Sequence, residues 1–132
     1  MLLKDFYTVT SRSEPKTEIN SNGVSITHHS FNLELNPGHA IYDGHFPGNP
    51  VVPGVCQIQM ILEMISLAEN KPMRMNKADT VKFLSLIIPG INSSLTFDIA
   101  SREAENSAIS ANVTISAGET IFLKFKGIFS RS

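Results

Sequence analysis

The chain has 132 residues, 42% of them apolar and 17% charged, with a formal net charge of −1. That size favours one domain with a modest core (residues 1–132), and the composition fits a globular chain rather than a disordered one. The charge argues against a nucleic-acid binder, because neutralising phosphates needs a basic surplus.

The single cysteine, Cys56, excludes an intrachain disulfide and a cysteine-cluster metal site. The opening Met1-Leu2-Leu3-Lys4-Asp5 has no long apolar core behind a basic start, so it does not read as a signal peptide. No run of about 18 apolar residues is present, so no membrane span is expected and the expected location is the cytoplasm.

Residues 15–23 are polar and end in Asn22-Gly23, a strong turn signal. From Val24 the chain alternates, with Val24, Ile26 and His28 on one face. Phe31, Leu33 and Leu35 alternate in the opposite phase. The slip near His28-His29-Ser30 predicts a β-bulge in one long strand. Residues 36–53 read as a long loop. Within it, Gly44-His45-Phe46-Pro47-Gly48-Asn49-Pro50-Val51-Val52-Pro53-Gly54 holds a histidine in a stretch stiffened by proline and runs into an apolar segment.

The segment from about Gly54 to Asn70 reads as the one long helix. Val55, Cys56, Ile58, Met60, Ile61, Leu62, Met64, Ile65, Leu67 and Ala68 cover most of its circumference, so something must wrap it. Gln59, Glu63, Ser66 and Asn70 form one polar stripe at i, i+4, i+7 and i+11. The plain reading of that stripe is the solvent side of the helix. Cys56 lies in the first helical turn, where the dipole lowers a thiol pKa, but its apolar neighbours favour a buried core cysteine.

Strands follow. Val81, Phe83 and 86–88 precede Pro89-Gly90. Leu95, Phe97 and Ile99 alternate, then Ile109, Ala111, Val113 and Ile115. After the turn at 117–119 come Ile121, Leu123 and Phe125. Short turns join the last strands, so they should pair antiparallel. A buried helix followed by a β-meander predicts an α+β fold, with an antiparallel sheet curled around the helix.

The run His45-Phe46-Pro47-Gly48-Asn49-Pro50-Val51-Val52-Pro53-Gly54-Val55 resembles the active-site loop of the β-hydroxyacyl-acyl-carrier-protein dehydratases, hotdog-fold enzymes. The likeness extends upstream through Phe31–Leu35 and Tyr42-Asp43-Gly44, and resumes at Val81-Lys82-Phe83-Leu84 and Ile88-Pro89-Gly90. The resemblance implies a hotdog domain whose sheets join edge to edge in a dimer, with active sites at that interface. It implies the elimination of water from a 3-hydroxyacyl thioester of acyl carrier protein, or of coenzyme A, to a trans-2-enoyl product.

By the same resemblance His45 is the catalytic base and the Gly54 N–H binds the thioester carbonyl. Tyr42, Phe46, Val55, Phe83 and Leu84 fall at substrate-binding positions, although core packing explains Tyr42, Phe46, Phe83 and Leu84 equally well. The family's carboxylate, fourteen residues after the histidine, is Gln59 here, and Glu63 follows one turn later, the reverse of the family's order.

Three readings of the swap stand open. Glu63 supplies the proton through a water; or His45 makes both proton transfers while Gln59 positions substrate; or the site is impaired. In the last case the chain is an acyl-binding partner in a heterodimer with a related dehydratase chain, or an acyl thioesterase. Glu63 also reads simply as a hydrogen-bonded helix carboxylate.

No metal or redox cofactor is implied, since proton transfers suffice. His28, His29 and His39 have no acidic cluster at ligand spacing. Lys71, Arg74, Lys77 and Lys82 form a basic stretch after the helix, either solvated surface or a docking face for an acidic carrier protein.

Overall fold

A computed structural model describes residues 5–44, 48 and 50–132. Seven strands form one antiparallel sheet: β1 Tyr7–Arg12, β2 Lys16–Ile19, β3 Ser25–Leu35, β4 Met73–Phe83, β5 Ser94–Glu103, β6 Ile109–Ala117 and β7 Thr120–Arg131. Their order across the sheet is β1-β3-β5-β6-β7-β4, with β2 pairing the near end of β3. One short helix, α1 (Ile41–Gly44), and one long helix, α2 (Gly54–Glu69), lie between β3 and β4.

The inward residues of the sheet alternate with polar outward ones, as a half-buried antiparallel sheet requires. Phe31, Leu33 and Leu35 of β3, Leu95, Phe97 and Ile99 of β5, Val113 and Ile115 of β6, and Phe125 and Phe129 of β7 are all buried. They close on Cys56, Met60, Ile61, Met64 and Ile65 of α2, which are buried too. Burying each such large side chain contributes about 1.5–3 kcal/mol, and this burial holds the helix inside the curl of the sheet.

Helix α2 begins behind Pro53, which has extended backbone angles and leaves the first N–H groups without a side-chain cap. It ends at Asn70, in the left-handed region, where the Asn70 and Lys71 N–H groups return to Leu67 O and Ser66 O. The expected span and the observed one therefore differ only at the cap.

Three expectations are corrected. The polar stretch 15–23 contains strand β2, which pairs with residues 25–28 of β3. The 36–53 loop contains α1. The bulge expected at 28–30 is absent, since β3 pairs with β5 without a shift from Thr27 to Glu34. The phase slip instead marks where the outer neighbour of β3 changes from β2, up to His28, to β1, from Phe31. There Ile26 and His28 lie on the face opposite Phe31, and His28 Nε2 meets Glu18 Oε1 at 2.8 Å. The bulges lie in β1 between Val9 and Ser11, in β4 after Met75 and after Ala78, and between β6 and β7 at Ile115 and Ser116.

Candidate active site

The start of α2 is the focus. His45 and Phe46 lie outside the described residues, but the chain on either side of them is placed. Upstream, Tyr42 of α1 is buried beside Phe6, with ring centroids 5.8 Å apart. Burial, and then the proximity of Cys56, push its hydroxyl up to about 12. This places Tyr42 in the core. Downstream, residues 51–54, Gln57 and residues 83–86 line a groove of about 440 Å³ at the helix N-terminus.

Gly54 opens α2 against the ring of Phe83. A Cβ on Gly54 would stand 3.0 Å from Phe83 Cζ, so the ring would have to give way to any side chain there. The N–H groups of a helix's first turn have no intrahelical acceptor, and the macrodipole adds positive potential. A groove at that point suits an oxygen that gains negative charge.

Gln57, one turn on, is buried within the same groove. Its Nε2–H donates to Val52 O at 3.2 Å, while its Oε1 is buried with no hydrogen-bond partner. The stripe drawn through residues 59, 63, 66 and 70 passes this residue by; its signal was a glutamine three positions after Gly54. Cys56 is buried, and burial pushes its thiol up, so it behaves as a core residue rather than a nucleophile.

The polar stripe is not simply a wet face. Gln59, Glu63 and Ser66 are half-buried and line a second groove of about 640 Å³ with Tyr7, Lys71 and Met73. Here Tyr7 O–H donates to Glu63 Oε1 at 2.6 Å, and Gln59 Nε2–H donates to Glu63 Oε2 at 2.9 Å. Burial first, then the hydrogen bond to Glu63 and its negative charge, hold the Tyr7 hydroxyl above the ordinary phenol range. Tyr7 was not singled out in the sequence. Its only signal was the short β-prone alternation Tyr7-Thr8-Val9-Thr10.

Of the apolar candidates, Phe83 and Leu84 line the first groove and are 53% and 52% exposed, with Leu86 at 68% beside them. Val55 points outward at 71% exposure. These side chains make an apolar patch at the mouth of the helix-start groove, next to the free edge of β4.

The basic stretch resolves into a ladder. Paired residues share a face, so the exposed Lys82 stands opposite Lys124, and Thr80 opposite Lys126. Arg74 faces Ser130, whose Oγ accepts from Arg74 Nε at 3.2 Å, while Lys77 is paired to Asp79 at 3.2 Å. Like charges directly opposite in a sheet cost stability unless something else balances them.

The sequence pattern of the family described as ApeI-like, the ApeI dehydratases, matches residues 21–121. The chain belongs to the ApeI-like dehydratase family. Among curated proteins it is 33% identical to the 3-hydroxyacyl-[acyl-carrier-protein] dehydratase FabZ of Lactobacillus helveticus, across 43% of this chain and 51% of that one. It is 27% identical to FabZ of Levilactobacillus brevis, across 67% and 71%. The chain thus spans about half the length of the L. helveticus protein.

The fold is shared with solved structures. An uncharacterized protein from Erwinia carotovora matches with a TM-score of 0.66 at 19% identity, over 95% of this chain and 96% of the other. The dehydratase heterocomplex ApeI:P from Xenorhabdus doucetiae matches at 0.63 and 18%, over 94% and 97%. A chain described as a candidate thioesterase from Lactococcus lactis matches at 0.64 and 10%, over 91% of each. The ApeI-like chain described here is thus a hotdog fold, an antiparallel sheet around one central helix.

Proposed function

We propose that this ApeI-like chain eliminates water from 3-hydroxyacyl thioesters, with His45 making both proton transfers and Gln59 orienting the substrate hydroxyl. The observation that carries the reading is Gly54: a side-chain-free helix start, closed on one side by Phe83 and opening on a groove, directly after the His45 loop. The thioester carbonyl oxygen sits at the helix start, and charge that develops there on loss of the α-proton is met by the Gly54 N–H and the helix dipole. The imidazole of His45 takes that proton and returns it to the departing 3-hydroxyl. The C–O bond breaks, the conjugated double bond forms and water leaves, so atoms and electrons balance.

Glu63 is the weaker proton donor on geometry. Both of its oxygens accept hydrogen bonds, from Tyr7 and Gln59, and it lies four residues, about 6 Å along the axis, beyond the position of the family's acid. A glutamine amide at position 59 accepts or donates hydrogen bonds but has no acidic proton to give.

The reading includes assembly. Strand β4 is a free sheet edge, and the patch of Val55, Phe83, Leu84 and Leu86 beside it is suited to cover by a second hotdog chain. We assign that chain as a second copy. The outward-facing ladder of Lys82, Lys124 and Lys126 suits an acidic acyl carrier protein delivering the thioester.

The test is a spectrophotometric assay with a 3-hydroxyacyl thioester, followed at the absorbance of the conjugated enoyl product. Turnover by the wild type, abolished in His45→Ala, is the expected result. Thiol release with no enoyl product would replace this reading with thioester hydrolysis. Turnover only after a related dehydratase chain is added would make the protein one half of a heterodimer.

A further inference from the structure

A carboxylate accepts hydrogen bonds and never donates them, so the contact between Gln59 and Glu63 fixes which end of the Gln59 amide faces Glu63. It is the nitrogen, at 2.9 Å, and the carbonyl oxygen is therefore turned away from Glu63. Glu63 is itself held from the opposite side by Tyr7, which arrives on β1 from a part of the chain 56 residues away and donates at 2.6 Å. Hydrogen bonds to a carboxylate are roughly twice as strong as neutral ones, and here the Tyr7 hydroxyl and the Gln59 amide nitrogen each donate into one oxygen of Glu63. All three border the same groove of about 640 Å³.

We infer that Tyr7 and Glu63 are positioning residues that lock the Gln59 amide so that its carbonyl oxygen, in the place of the family's carboxylate, accepts from the substrate 3-hydroxyl. This rests on the dehydratase reading above. An oxygen acceptor at position 59 keeps the one half of the carboxylate's work that does not need a proton: it orients the C–O bond that breaks. Without Tyr7, Glu63 loses the hydrogen bond to its Oε1, and the carboxylate that accepts from the Gln59 amide is held less firmly. The role belongs to catalysis and not to folding alone, because it predicts a change at residue 59, two side chains away from the substitution.

The experiment uses the full-length chain and two readouts. In ¹⁵N-resolved spectra the Gln59 side-chain NH₂ pair is identified by its disappearance in Gln59→Leu. Tyr7→Phe and Glu63→Gln are then expected to shift and broaden that pair, with circular dichroism unchanged. Steady-state dehydration by Tyr7→Phe is expected to show kcat lowered roughly tenfold, the scale of one charged hydrogen bond, with KM little changed. An unmoved Gln59 pair in both variants overturns the inference whatever the rates, as does a moved pair with wild-type kcat. A wild type that forms no enoyl product while Tyr7→Phe still moves the Gln59 pair overturns the dehydratase reading instead, and leaves the Tyr7–Glu63–Gln59 linkage supported.

Discussion

Glu63 and Gln59 show how far single residues could be read. Their order along the helix was visible in the sequence, and so was its reversal relative to the family. What the sequence did not carry was Tyr7, because a strand that supplies a hydroxyl from 56 residues away leaves no local pattern at residue 63. Moving the carboxylate back tests what the reversal costs. The double variant Gln59→Glu/Glu63→Gln is expected to dehydrate at least about tenfold faster than wild type, since a placed general acid contributes roughly 100–10,000-fold. An unchanged rate would mean that proton delivery to the hydroxyl does not limit turnover.

His29 was read as one of two strand histidines with no assigned work. It is buried, its Nδ1 has no partner, and burial depresses its pKa; Glu69 opposes that shift while Arg12 and His28 add to it. The unfolded chain therefore binds this proton more tightly than the native one. Stability is full above the ordinary histidine value of 6.5 and falls as the pH drops through it towards the lower native value. Chemical denaturation at about pH 7 and about pH 5 should show His29→Leu gaining on wild type at the lower pH. A gap independent of pH would contradict that assignment.

At the scale of elements, helix α2 was legible because its apolar positions run round the cylinder, and because Pro53-Gly54 and Asn70 mark its ends. The meander β5–β6–β7 was legible from strict alternation. Strand β4 was legible only at its last residues, since most of Met73–Phe83 is exposed and two bulges break its period. Strands β1 and β2 lacked any long apolar run. One glycine explains how β4 stays paired despite its bulges: a Cβ at Gly127 would lie 2.6 Å from Lys77 O, so only glycine lets the bulged backbone approach. Two substitutions then separate stability from function. Gly127→Ala should lower stability by about 1–3 kcal/mol, as overpacking does, seen as a shifted urea midpoint. Gly54→Ala asks only the exposed Phe83 ring to move, so it should fold near-normally but lose activity, by up to about 100-fold if the helix start no longer receives the carbonyl. Equal stability losses in the two variants would contradict this contrast.

At the scale of the whole molecule, the sheet buries one face on α2, with an apolar mouth where Phe83 meets the helix start, and carries Lys82, Lys124 and Lys126 on its outward face. The wrapped-helix layout was legible from the count of one apolar helix followed by alternating strands. The meeting of Lys82 with Lys124 was not, because cross-strand register brings the two together and no spacing along the chain records it. The chemistry proposed at the start of α2 is tested most directly by the mass of a carrier-bound substrate. A 3-hydroxyacyl group on acyl carrier protein, incubated with the protein and weighed intact, should lose one water while the thioester stays joined to the carrier. Release of the whole acyl group, or an unchanged mass in the presence of a homogeneous, folded wild type, would contradict the account.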